Sequence, residues 1–268
     1  MRAWRNACRR RLSLFFPLFG GRKKCDFPIL MSKPHSFGLS KGDRLTWRYE
    51  VIEPIGAGSE GEVYKIREKA TGLTRAAKLY YRSKEQNAKR FQRYARKLDA
   101  LRDCDIVVKY LHAEEVWIDD RFIYCLISEY FGGAILEDML KRYRGGRMPA
   151  FEALNLTYAL VNGLEEIHAR KEFHGDLHKG NIFVERTGVF FRVRTIDFHD
   201  WGRTPAVERR ADILCVARLL YDLVGGREHY RKQPQAIRDI CMGNRSDLIL
   251  KKFPTVFHLR AHLETFEW

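Results

Sequence analysis

The chain has 268 residues, 45% hydrophobic and 13% aromatic, which is enough to bury a core and too apolar for a disordered protein. Its net charge of +15 is uneven: residues 1–50 carry twelve Lys/Arg against three Asp/Glu, so the basic character belongs mainly to the N-terminal arm. No apolar run approaches the roughly eighteen residues of a membrane-spanning helix, so no stable membrane insertion is expected. Cysteines at positions 8, 25, 104, 125, 215 and 241 form no C-x-x-C pair, which argues for a reduced, cytoplasmic chain without a zinc site.

Residues 1–44 show no sustained periodicity and read as a flexible basic extension, not as a nucleic-acid-binding surface. Arg9-Arg10-Arg11 ahead of Leu12–Phe19 is a short basic-amphipathic pattern, and Met31 offers an alternative start. Order is expected from residue 45. Leu45–Ile55, Gly61–Glu68 and Leu73–Tyr80 read as three strands with tight turns. Between the first two lies Gly56-Ala57-Gly58-Ser59-Glu60-Gly61-Glu62-Val63, a G-x-G-x-x-G-x-V pattern whose glycines let backbone amides approach phosphate. A glycine-rich hairpin turn is the plain alternative. Lys78, fifteen residues after Val63, is flanked by Ala77 and Leu79 on the third strand, where it either meets phosphate or snorkels to the surface.

Lys84–Arg102 has apolar residues at helical spacing. Ile106–Ile118 and Phe122–Tyr130 then read as two further strands. After Gly132-Gly133 the pattern turns helical: Leu136–Arg142, then Phe151–Arg170. A hairpin, Ile182–Glu185 with Val189–Ile196, follows. Ala211–Val224 is apolar on nearly every side, with Asp212 near its start as either a structural anchor or a mere capping charge, and three short helices are predicted over 234–242, 246–252 and 255–266. His112, His168, His229, His258 and His262 show no convergent partners.

The chemistry concentrates in His174-Gly175-Asp176-Leu177-His178-Lys179-Gly180-Asn181 and, sixteen residues after Asn181, Asp197-Phe198-His199. One carboxylate able to orient a hydroxyl, with an amide and a second carboxylate able to hold a hard cation, is what phosphoryl transfer requires. These residues, in this order after the glycine loop and lysine, resemble the protein-kinase superfamily. The H-G-D-L-H-x-x-N form is similar to aminoglycoside phosphotransferases and choline kinases. The apolar helix opened by Ala211-Asp212-Ile213 is closer to serine/threonine protein kinases of a compact bacterial type, a resemblance that implies Asp212 anchors the backbone of the loop carrying Asp176.

The resemblance covers residues 47–225 and implies an α+β, bilobal kinase-like fold. A small lobe (45–131) would hold five antiparallel strands and one helix, and a larger, mainly α lobe would follow (132–268). It implies ATP and Mg²⁺ as cofactors. Gly56, Gly58, Ser59, Gly61, Val63 and Lys78 would surround the nucleotide, with the backbone of Glu129 and Phe131 at a hinge and Ser128 behind it. Asp176 and Lys78 would be catalytic, and Asn181 and Asp197 would ligate the metal. The acceptor would be a protein hydroxyl. A small-molecule alcohol is the alternative, and a nucleotide-binding scaffold without turnover is a third reading.

The sequence departs from that family in five places. Gly175 stands for an arginine, His178 for a lysine (with Lys179 one position late) and His199 for a glycine, with Asp200 following. Only fourteen residues separate Asp197 from Asp212, and no A-P-E is present, so a phosphorylation switch in this segment is not expected. The helix glutamate that would pair with Lys78 is also missing from the middle of 84–102, which offers Arg93, Arg96 and Lys97. Glu85, or failing that Asp99, would have to replace it.

Overall fold

The computed structural model describes residues 36–199 and 202–266, and side chains at 83–87 are outside the description. Five antiparallel strands come first: β1 (Tyr49–Ala57), β2 (Gly61–Glu68), β3 (Thr74–Ser83), β4 (Tyr110–Ile118) and β5 (Arg121–Glu129), in the spatial order β1-β2-β3-β5-β4. Helix α1 (Lys84–Ala100) is inserted after β3. Side chains alternate along each strand, so the inner strand β5 feeds a core on each face of the sheet. On β5, Ile123, Cys125 and Ile127 enter a small core on one face, while Tyr124 and Leu126 enter the main core on the other. Phe91 and Leu98 of α1, with Leu101 just after it, pack into that main core.

The remaining chain is mainly helical. A short strand β6 (Ala134–Ile135) pairs with β7 (Ile182–Thr187), and β7 with β8 (Phe190–Thr195). The helices are α2 (Leu136–Leu140), α3 (Ala150–Ala169), α4 (Pro205–Leu223), α5 (Gly226–His229), α6 (Gln235–Cys241), α7 (Ser246–Lys252) and α8 (Val256–Leu263). Leu156, Leu160 and Leu164 of α3 and Val216 and Leu220 of α4 anchor the main core. Cys104, Cys125, Cys215 and Cys241 carry free thiols.

Three boundaries differ from expectation. Residues 36–44, assigned to the flexible extension, lie on the sheet. Phe37 is buried and stacks on Tyr81 at 5.4 Å, and Asp43 accepts a hydrogen bond from Val51 N at 2.9 Å. Residues 1–35 fall outside the described residues. The apolar stretch from Ile106 does not join β4, because Val107 bridges in parallel to Thr195 of β8 instead. Helix α4 starts at Pro205, six residues early, with Pro in its first turn, where the missing N–H costs nothing. Glu208, fully buried in that first turn, receives Arg203 through two bonds of 2.8 and 2.6 Å. Asp212 is therefore two turns inside the helix and is not a cap.

Candidate active site

Val63 and Lys78 pair across β2 and β3 and share a face of the sheet. Ala77 and Leu79, on the other face, are fully buried in the small core, so the Lys78 side chain emerges toward α1. Its Nζ lies 2.5 Å from Oδ1 of Asp197. Burial opposes the charge on Lys78, but Asp197, helped by Tyr80 and Tyr94, outweighs it and the pKa is raised. Asp197 itself has φ +58°, a left-handed conformation that is costly for a residue with a side chain.

The glycine loop needs its glycines for different reasons. A Cβ on Gly61 would sit 1.9 Å from the carbonyl oxygen of Leu79, so packing against β3 demands glycine there. Gly56 meets only Val63 Cβ at 3.9 Å and Gly58 meets nothing, so packing does not explain them, and open backbone does. Gly58 N donates to Gly61 O at 2.9 Å, which closes the turn under the exposed Ser59. Glu60, beside Ser59, is ion-paired with Arg90 of α1.

The loop at residues 174–181, the candidate catalytic loop, hangs from Asp212. Its Oδ2 accepts His174 N at 2.8 Å, its Oδ1 accepts Gly175 N at 2.9 Å, and Nε2 of His168 lies 3.0 Å from Oδ2. His168, which had no partner by sequence, thus belongs to this anchor. Gly175 has φ +81°, and a Cβ there would lie 2.0 Å from His199 O. Backbone geometry therefore requires glycine where the resembled family has arginine. His174 is fully buried and stacks on Phe198 at 4.4 Å. Burial pushes its pKa down to about 4. Its Nδ1 accepts Asp176 N at 3.3 Å, and its Nε2 is buried without a partner.

Asn181 Nδ2 donates to the Asp176 backbone oxygen at 3.0 Å and to Oδ2 at 3.3 Å. Asn181 O accepts Ile196 N at 3.1 Å, which joins the catalytic loop to the strand leading into Asp197. Of the two nitrogen side chains that follow Asp176, the structure separates the roles. Lys179 turns to Glu137, at 3.4 Å. His178 turns Nε2 to Asp176, at 3.7 Å, while its Nδ1 accepts Gly180 N at 3.0 Å. His178 is the main reason that Asp176 is held below the usual carboxylate range.

With the amide nitrogen of Asn181 committed, its oxygen and the Asp197 carboxylate are the two donors that could hold a cation. Among the described residues no group of three or more His, Cys, Asp or Glu could hold a metal. A site of two oxygens fits Mg²⁺, which dehydrates reluctantly and is held by one or two protein oxygens plus phosphates.

The sequence pattern of the protein kinase domain matches residues 49–231, more than half of the chain. The chain belongs to the protein kinase domain family. This kinase domain is 32% identical over 157 residues to serine/threonine-protein kinase pkn2 of Myxococcus xanthus, covering 58% of this chain but 18% of that protein. It is 28% identical over 160 residues to PrkC of Bacillus subtilis, 59% of this chain and 23% of that protein. To the Aurora kinase of Schizosaccharomyces pombe it is 29% identical over 215 residues, 78% of this chain and 57% of that protein. A double mutant of the kinase domain of Mycobacterium tuberculosis PknI shares its fold, with TM-score 0.63 over 85% of this chain and 97% of that one at 18% identity.

The hinge of this kinase domain is more than a backbone strip. The Glu129 carboxylate accepts Arg194 Nε at 3.1 Å and Lys109 N at 3.0 Å. Its backbone N–H is committed to Lys109 O at 2.9 Å, and its carbonyl accepts the Ser128 hydroxyl at 3.2 Å. The Phe131 ring lies between the guanidinium groups of Arg192 and Arg194, 5.6 and 5.5 Å from its centroid. Sequence reasoning missed these side-chain roles because Arg194 is 65 residues from Glu129.

The expected acid partner of Lys78 on α1 is not found among the described side chains. Glu85 is outside them, and Asp99 pairs with Arg102 on the exposed side of the helix. What α1 brings to the site instead is Tyr94, whose phenol is pushed up first by burial and is coupled to Lys78 and Asp197, and Lys97. The three cations at positions 93, 96 and 97 were the visible signal, but which of them turns inward is decided by packing.

Proposed function

We propose that this kinase domain is a serine/threonine protein kinase that transfers the γ-phosphoryl group of ATP to a protein hydroxyl with Mg²⁺. The observation that carries the reading is the meeting of Lys78 with Asp197, beside an Asp176–Asn181 pair held by its own hydrogen bonds. The names of the relatives support the acceptor class: pkn2 and PrkC are serine/threonine-protein kinases. The aligned stretches span a minor part of both proteins, so activity, substrate and partners are inferred for this chain.

In this mechanism the glycine loop from Gly56 to Val63 covers the phosphates, Lys78 contacts them, and the hinge backbone at Glu129 and Phe131 receives the adenine. Asn181 and Asp197 would hold Mg²⁺, which when bound neutralises phosphate charge. Asp176, kept ionised by His178, orients the acceptor hydroxyl and takes its proton. We place the lobe boundary after Phe131 and the protein in the cytoplasm. No helix of the described residues is long and apolar enough to cross a membrane.

Gly175 and His178 favour a second reading, a kinase of small-molecule alcohols. The test is incubation of the full chain with γ-labelled ATP and Mg²⁺ in a lysate. Label on protein is expected, label on small molecules selects the second reading, and nucleotide binding without transfer selects a scaffold. Asp176→Asn and Asp197→Ala should each lower transfer by at least about a hundredfold while leaving the unfolding transition in place. Wild-type transfer in both variants refutes the site.

A further inference from the structure

Helix α1 reaches the metal loop through a cation. The Lys97 side chain is 12% exposed, and its ammonium lies 3.5 Å from Oε2 of Glu172. It also sits 3.7 Å from the ring centroid of Phe173 and 5.7 Å from that of Phe198. Phe198 is buried, follows Asp197 directly and stacks on His174. Lys97 therefore touches, from one helix, the segment leading into the catalytic loop and the residue next to the metal-loop carboxylate.

Packing does not account for this choice. An ammonium is costly to withdraw from water, and an apolar side chain of similar length often fills such a place as well or better. A charge gains here through what it attracts, which includes the negative faces of two aromatic rings and one carboxylate. At the other end of the same loop, Lys78 holds Asp197 itself. Asp197 thus stands, in its left-handed conformation, between a cation from β3 and a ring gripped by a cation from α1.

We propose that Lys97 is a positioning residue for Asp197. Moored by Glu172 and Phe173, its ammonium fixes the Phe198 ring from α1 and so sets the carboxylate that would hold Mg²⁺. This rests on the reading of Asp197 as a metal ligand. Helix α1 is then coupled to the metal site through a cation, without an acid reaching Lys78.

The test compares the wild-type full chain with Lys97→Met, Lys97→Arg and Glu172→Gln. It measures thermal unfolding without ligand, calorimetric ATP binding with and without Mg²⁺, and phosphoryl transfer. Lys97→Met should unfold at or above the wild-type temperature and bind ATP alone as the wild type does. It should need about tenfold more Mg²⁺ for the same gain in ATP affinity and lose about tenfold in kcat, as for residues that orient a ligating carboxylate. Lys97→Arg should recover most of both, since guanidinium also stacks on aromatic rings. A wild-type Mg²⁺ response in Lys97→Met overturns the proposal, as does an equal loss of ATP binding with and without Mg²⁺. If Lys97→Met does not fold, Glu172→Gln decides: it should shift the Mg²⁺ response in the same direction by less, and no shift overturns the proposal. A wild type that binds ATP with Mg²⁺ but transfers nothing refutes the kinase reading and leaves Lys97 to be judged on the binding data. A wild type that binds no ATP at any Mg²⁺ concentration overturns both.

Discussion

The catalytic loop and helix α1 both reach the carboxylates of the site, but different physics holds them. The loop hangs from Asp212, buried inside α4, which collects two backbone N–H groups and His168 at 2.8 to 3.0 Å. Asp212 and His174 are buried, so a lost bond there is not replaced by water and the anchor is a requirement of folding. Helix α1 is held by its packing, by the half-exposed Arg90–Glu60 pair and by Lys97 over two aromatic rings. The comparison teaches that one side of the cleft is fixed by obligatory hydrogen bonds and the other by charges that could be exchanged for apolar groups without losing the fold.

The largest effect should come from breaking the first kind of contact. Asp212→Ala leaves two backbone donors and His168 without their acceptor, and should cost about 3–5 kcal/mol, measured by chemical denaturation. A cost below about 1 kcal/mol would show that the loop carries its own structure.

A second prediction uses pH to weigh the buried histidine of the same loop. His174 is neutral when folded, with its pKa near 4 by burial, but is free to protonate near 6.5 when unfolded. The unfolded state therefore binds the extra proton as pH falls. Stability contributed by this group is intact above about 6.5 and is lost progressively down to about 4, by about 3 kcal/mol in all. His174→Phe keeps the stack on Phe198 and should flatten the stability curve over that window. An unchanged curve would mean that His174 is hydrated in the folded state.

The smallest effect belongs to the α1 side. Glu60→Gln removes an exposed ion pair and should change stability by less than about 1 kcal/mol. It also takes a negative charge from the tip of the glycine loop, so ATP binding at low salt should tighten slightly and the gain should fade as salt rises. Weaker binding would show that Glu60 positions the loop.

Much of this was legible from sequence because it depends on order and period. The alternation in β2 and β3 shows which side of the sheet Lys78 leaves. The spacing of Asp176, Asn181 and Asp197 survives folding because short loops hold them. The start of α4 was misplaced because Glu208-Arg209-Arg210, just ahead of Ala211, look polar, and the burial of Glu208 depends on Arg203 folding back onto it. The stretch after Ile106 looked like part of β4 because an apolar run does not reveal its partner, and Thr195, 89 residues away, supplied it.

By itself the sequence determined most of the secondary-structure elements and the order of the motifs, since these follow from local periodicity and from residue chemistry at short spacing. Only the tertiary structure decided how charges were matched. Lys78 meets Asp197 across 119 residues, Lys97 turns inward to Glu172, Phe173 and Phe198, and Gly175 is fixed by the carbonyl of His199. Each of these pairings joins segments far apart in the chain, and which cation on a helix faces inward is set by the rotation at which its apolar stripe packs, a quantity that no spacing in the sequence contains.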